Sequence, residues 1–221
     1  MKKHKRIAHL LFVISILFTM EAVFCTMNNT IVAKEKNFKT LTLKVISCNT
    51  YFYLDDSDDF SFDYDKNLFD VDVQDDDLNR YITISQKKGA KPTVDDKVLI
   101  YIPASLPFDN VSIENNSAGM SLCEMNKPIT INANKASLVI PLPTDFSESL
   151  NVTAVSSGVV IKASKKTGIN FSLKAKESAV ALPKSFSTYY PTKKEYSYTY
   201  GDGAIDITSD ITSCSFVLKL K

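Results

Sequence analysis

The chain has 221 residues, 44% of them hydrophobic and 23% charged, with a formal net charge of +1. That suits one sizeable β domain or two small domains, and it excludes a disordered or collagen-like chain. There is no Trp, and the two histidines, His4 and His9, lie at the N-terminal end. If that end is removed, histidine-dependent catalysis and histidine zinc sites lose their imidazole.

In chain order, residues 1–6 (MKKHKR) carry four positive charges, and an apolar run follows from Ile7 to Met20. A charged segment before a short apolar one is the pattern of a secretory signal peptide. The run falls short of the ~20 apolar residues that span a bilayer comfortably, and Glu21 ends it. Cleavage is expected after Ala33, in Thr30-Ile31-Val32-Ala33, which makes 1–33 the signal and 34–221 a single mature domain. The alternative is an uncleaved anchor at residues 7–24. A lipoprotein cleavage before Cys25 is disfavoured by the bulky Phe24. The expected location is therefore outside the cytoplasm, secreted or associated with the envelope, with membrane contact only if the anchor is kept.

The mature chain holds 22 Lys+Arg against 24 Asp+Glu, and its sole arginine is Arg80. Without a basic stripe and arginine forks, no nucleic-acid partner is expected. Cys48, Cys123 and Cys214 are expected to act as small core hydrophobes, one disulfide plus a free thiol being the alternative.

Residues 34–103 read as an acidic β region. Residues 55–77 hold eleven Asp and one Lys, yet apolar residues alternate through them. Phe60, Phe62 and Tyr64 alternate with Ser61, Asp63 and Asp65, and Phe69, Val71 and Val73 with Asp70 and Asp72, which predicts strands with one buried face. Asp63, Asp65 and Asn67 start like an EF-hand loop, but Leu68 and Gln74 stand where Gly and Glu are needed. The turn Asp55–Asp59 is the better calcium candidate, weighed against a solvated turn with no ligand. No metal or cofactor is expected.

Residues 104–183 carry a regular series. Short alternating strands open at Val111, Met120, Ile129, Leu138, Leu150, Val159, Ile169 and Ala179, mostly nine or ten residues apart. Fixed periods of this size predict a solenoid, in which each short strand buries its two inward side chains by stacking on the next turn. An antiparallel meander is the alternative, disfavoured because Asp202-Gly203 is the only Asn-Gly or Asp-Gly pair. The handedness of parallel crossovers makes the coil right-handed. The expected fold is all-β, a right-handed single-stranded β-helix preceded by an N-terminal β region. Residues 184–200 interrupt the series as a Tyr-rich insertion or protruding hairpin, and 201–221 resume it as a closing rung. Tyr189, Tyr190, Tyr196 and Tyr198 are the candidate ligand surface, since Tyr joins an apolar ring to a polar tip; the alternative is that such rings cover the edge of the stack.

The strand pair near Leu41–Tyr53, the acidic turn, Tyr81–Ile84, the aliphatic strand Val98–Pro103 and the first strand after it, Phe108–Ile113, resemble the bacterial family named "putative adhesin". The resemblance covers roughly 40–221 and rests on strand rhythm. It implies an all-β, solenoid-like domain at the cell envelope, and it carries no functional residues over. The family often has Gly between half-rungs; here Gly119, Gly158 and Gly168 fit, whereas Lys135-Ala136 departs from it.

The expected function is a non-catalytic cell-envelope or surface module that offers a rigid β surface to a wall polymer, glycan or protein partner, and the resemblance implies an adhesive role for it. The alternatives are a β-helix lyase or glycosidase, and a membrane-tethered module that senses the envelope. The intact mass of the native protein tests the N-terminal reading: a chain beginning at Lys34 in the medium or wall fraction is expected, and one retaining Met1 in the membrane fraction contradicts cleavage.

Overall fold

A computed structural model describes residues 37–186 and 195–221. The expected export signal lies outside the described residues, as do Tyr189 and Tyr190. All regular elements of the described residues are β-strands.

The first six are β1 (Phe38–Ile46), β2 (Asn49–Asp55), β3 (Ser61–Asp63), β4 (Phe69–Asp75), β5 (Asn79–Gln86) and β6 (Lys97–Pro103). Then come β7 (Phe108–Asn116), β8 (Gly119–Ser121), β9 (Ile129–Asn134), β10 (Ser137–Pro141), β11 (Leu150–Val155) and β12 (Gly158–Ala163). The chain closes with β13 (Ile169–Lys176), β14 (Ala179–Ala181), β15 (Glu195–Tyr200), β16 (Ile205–Thr212) and β17 (Ser215–Leu220). Every strand expected from the spacing of residues 111–181 is present.

These strands form two mixed sheets. One has nine strands in the order β15-β13-β16-β11-β9-β7-β1-β5-β4, the other eight in the order β14-β17-β12-β10-β8-β2-β6-β3. From β7 to β14, successive strands alternate between the sheets. Neighbours such as β7 and β9, or β10 and β12, pair in parallel, which excludes the antiparallel meander for this stretch.

The parallel register is unshifted, so inward side chains form straight columns. One column runs Leu41, Val111, Ile129, Leu150, Ile207 and Phe171. The next runs Leu43, Ile113, Ile131, Val152, Ser209 and Leu173 through the same pairings, and every member is at most 2% exposed. Two-residue alternation places these side chains on one face, and together with columns from the eight-stranded sheet they form one apolar cluster. Two polar side chains interrupt the packing: neither end of the Asn115 amide nor the Ser209 hydroxyl finds a hydrogen-bond partner among the described residues.

Six corners that lead from the nine-stranded sheet into the eight-stranded one follow one rule. Each joins its two strands by a residue of positive φ and then a small residue: Ser47-Cys48, Ser117-Ala118, Lys135-Ala136, Ser156-Ser157, Glu177-Ser178 and Ser213-Cys214. The amides of Ser47, Ser117 and Lys135 donate to Asn116, Asn134 and Val155 carbonyls at 2.9 Å, carrying the ladder around the bend. Glycine is absent from all six left-handed positions, and Gly119 and Gly158 instead open the strands that follow. Lys135-Ala136 is therefore typical of this chain rather than a departure.

The layers are not stacked in chain order at either end. The β1/β2 pair lies between β5/β6 and β7/β8, and β16/β17 lies between β11/β12 and β13/β14. So the N-terminal β region does not simply precede the stack, and 201–221 is not its last layer. The physical gain is that both terminal segments have ladder partners on two sides, which holds ends that otherwise fray. Nor does the segment before Gly201 protrude as far as it is described: β15 lies antiparallel along β13, with Leu173 opposite Tyr196 and Phe171 opposite Tyr198.

The corner rule is testable at Lys135. A left-handed conformation costs an L-residue roughly 1–2 kcal/mol, partly offset by the entropy that glycine loses on folding. Lys135→Gly is expected to hold or raise the thermal midpoint. Lys135→Val, β-branched at positive φ, is expected to lower stability by about 1 kcal/mol or more.

Candidate functional site

The two outer faces differ in chemistry. On the nine-stranded sheet one outward column is polar through six strands, Thr42, Ser112, Thr130, Asn151, Thr208 and Ser172, and ends in β5 on the exposed Tyr81. On the eight-stranded sheet the corresponding column reads Leu99, Tyr51, Ser121, Val139, Val160 and Val217. Tyr51 is 40% exposed and the valines are half-buried.

Beside that column, Tyr53 and Tyr101 are register partners whose rings stack with centroids 5.7 Å apart and planes at 28°. The ammonium of Lys97 stands 5.6 Å from the Tyr51 ring centroid. Tyr53 is 45% exposed. A short parallel ladder fixes these rings on a flat support, so little side-chain entropy is lost when something packs on them. The sequence analysis did not single out Tyr51, Tyr53 and Tyr101. Their signal was present: β2 reads Tyr51-Phe52-Tyr53 and β6 reads Leu99-Ile100-Tyr101, where the outward position of the alternation is aromatic or apolar instead of polar.

The tyrosines near the other end are placed differently. In β15, Tyr196 is 5% exposed and Tyr198 is half-buried. Tyr198 meets Phe186 edge-on at 5.5 Å, and Phe186 in turn packs on Phe171 at 6.0 Å. The Tyr200 hydroxyl donates to the Lys165 carbonyl at 3.1 Å. These rings extend the core columns over the last layer, with Tyr196 buried against it. An open cleft of about 290 Å³ lies beside it, lined by Ser178–Ala181, Tyr196 and Ser215–Val217.

The acidic end is organised by Arg80. It occupies the inward position of β5 next to Leu41, where the column would otherwise continue with an aliphatic residue. Its guanidinium lies over the rings of Phe38 and Phe60, 4.7 and 4.9 Å from their centroids. Nε and Nη2 donate to the two oxygens of Asp75 at 2.9 and 3.0 Å, and Nη1 donates to Asp59 Oδ1 at 2.7 Å. Arginine suits this place because its planar fork satisfies two carboxylates while its faces stack on rings. The turn Asp55–Asp59 is thus tied to the end layer through Asp59. Among the described residues no group of three Asp, Glu, His or Cys side chains gathers as a metal site.

Charge chemistry follows from these contacts. The Arg80 hydrogen bond holds the Asp59 carboxyl below its ordinary value, against a smaller opposing effect of burial. The Asp76 carboxyl is lowered to about 2, first by the Asn79 side chain and then by the amides of Leu78 and Asn79. The three cysteines are free, so the disulfide alternative is not formed. Burial pushes the Cys48 thiol up to about 11 and the Cys123 thiol to about 12, which leaves neither a thiolate at neutral pH.

Carboxyls that titrate lower in the folded chain than in the unfolded one stabilise it above the unfolded value, and that stability is lost as pH falls through the folded value. Asp59 and Asp76 both have an ordinary value of 3.8. Their contribution is therefore complete above about pH 4 and disappears toward pH 2. Arg80→Met is expected to lower stability at neutral pH by about 2 kcal/mol, because it leaves Asp75 without its fork. It is also expected to flatten this acid limb in chemical-denaturation curves taken across the range.

No family model matches the chain, and no curated relative matches it. Among solved structures, the chain is similar to that of a "putative cell adhesion protein" from Clostridium sporogenes ATCC 15579, at 15% identity and a TM-score of 0.54. The match covers 85% of this chain and 94% of the other. At that identity the likeness is one of fold: this chain shares an all-β architecture with the clostridial protein.

Proposed function

We propose that the chain is an exported, non-catalytic surface module, built as a right-handed β-solenoid, that binds a cell-envelope polymer or glycan on the outer face of its eight-stranded sheet. The observation that carries this reading is the column Leu99, Tyr51, Ser121, Val139, Val160 and Val217, apolar but for Ser121, with the stacked Tyr53–Tyr101 pair beside it. Apolar side chains gathered on the outer face of a sheet are characteristic of an interaction site, and tyrosine contributes most to such sites because it is rigid and amphipathic.

The strand alternation between sheets and the unshifted parallel pairing support the solenoid description. The charged and apolar segments at the N-terminus support export. The fold shared with a protein described as a cell adhesion protein supports a role at the surface. A non-catalytic role agrees with the Cys48 and Cys123 thiols being held protonated by burial.

The test is binding of the purified protein to immobilised wall polymers and glycans. Tyr51→Ser with Tyr53→Ser is expected to weaken binding at least tenfold, about 1.4 kcal/mol. Thr130→Ala with Asn151→Ala, on the polar outer face, is expected to leave it unchanged. Equal loss from both pairs, or from neither, contradicts the assignment of the face.

A further inference from the structure

The charge of the molecule is polarised along the direction in which its strands are stacked. Residues 55–77, with eleven Asp and one Lys, supply β3 and β4, the outermost strands at one end of the two sheets. At the other end lie β13, β14 and β15. There the described residues 164–186 and 195–203 carry five lysines against Glu177, Glu195 and Asp202, and Lys174 lies beside Glu195 of β15 and Asp210 of β16. Lys165, Lys166, Lys174, Lys176 and Lys184 are all exposed.

Nine strands about 4.8 Å apart separate the two ends by roughly 38 Å. That is several times the ~8 Å over which charges act at physiological salt. The ends therefore do not neutralise one another within one molecule. A second copy offers either end its complement only when it arrives in the same orientation; two acidic ends repel. Both ends also finish in strands, β4 and β15, whose outer edges have no strand partner among the described residues. Charged edges are the usual protection against like-to-like pairing, and Asp70 and Asp72 on β4 give that protection only against another acidic end.

We propose that copies of this chain associate head to tail, the acidic β3–β4 end of one against the lysine-bearing β13–β15 end of the next. A heterologous contact of this kind does not close on itself and builds linear chains. It goes beyond the binding face proposed above, which it leaves exposed along the side of every copy.

Analytical ultracentrifugation of the full chain at about 20 mM and 500 mM salt tests it, since screening acts on this contact directly. At low salt the weight-average mass is expected to be at least twice that of the monomer and to grow with concentration, and at high salt to return to the monomer. Two exposed double reversals separate charge matching from general stickiness. Asp70→Lys with Asp72→Lys, and Lys174→Glu with Lys176→Glu, are each expected to be monomeric alone, with unchanged far-UV circular dichroism. Mixed together they are expected to associate again at low salt. Wild type that is monomeric at both salt concentrations overturns the proposal and leaves the acidic end to a cationic partner of another kind. Association that survives either reversal, or reversed variants that do not associate when mixed, overturns it as well.

Discussion

The unshifted parallel pairing between layers is the constraint on which the rest of this structure depends. Because each strand sits directly on the next, every inward position becomes part of a column, and a three- to nine-residue strand that could not bury a core alone shares one with its neighbours. The same register aligns the corners. That alignment is why the positive-φ residue recurs at six places and why, at five of them, its amide donates to a carbonyl of the adjacent layer. A strained conformation is maintained at those five because it completes a ladder that would otherwise end in unpaired groups.

Much of this was legible in the sequence. The series from Val111 to Ala179 fixed the strands because period-two alternation states which side chains are buried. The acidic segment was legible only in part: Phe69 is buried and Phe60, Phe62, Tyr64 and Val71 are half-buried as the alternation predicts, but Val73 is 42% exposed because β4 is an edge strand whose far half has nothing to pack on. Stacking order was not legible. Nothing local in Leu41–Val45 or Ile205–Ile211 distinguishes a strand at the end of a stack from one inserted between two layers, because both need the same inward aliphatic residues. The place of Arg80 was not legible either: the sequence marks it only as the sole arginine of the mature chain, whereas it holds a column position because two rings and two carboxylates surround its guanidinium.

At the candidate sites, residue density and strand alternation point to different places. Tyrosine density drew attention to residues 189–198, where count is high but alternation points Tyr196 and Tyr198 inward. The rings of Tyr51, Tyr53 and Tyr101 are fewer and lie in strands that look ordinary. They matter because an outward position flanked by apolar neighbours in the adjacent layers creates a surface that no single strand reveals. The contrast with the polar face of the nine-stranded sheet is what gives that surface meaning, since the two faces share one backbone geometry and differ only in side chains.

The inserted terminal pairs also bear on how the molecule reaches this state. In a stack built in chain order, each layer can settle on the one before it, and stability accumulates locally. Here β1 waits for β5 and β7, and β13 has no parallel neighbour until β16 arrives between it and β11. β16 and β17 are a keystone: without them β13 and β14 have no parallel neighbour. Such long-range closure slows folding. The nascent chain is thereby kept from completing its stack before β16 and β17 are made.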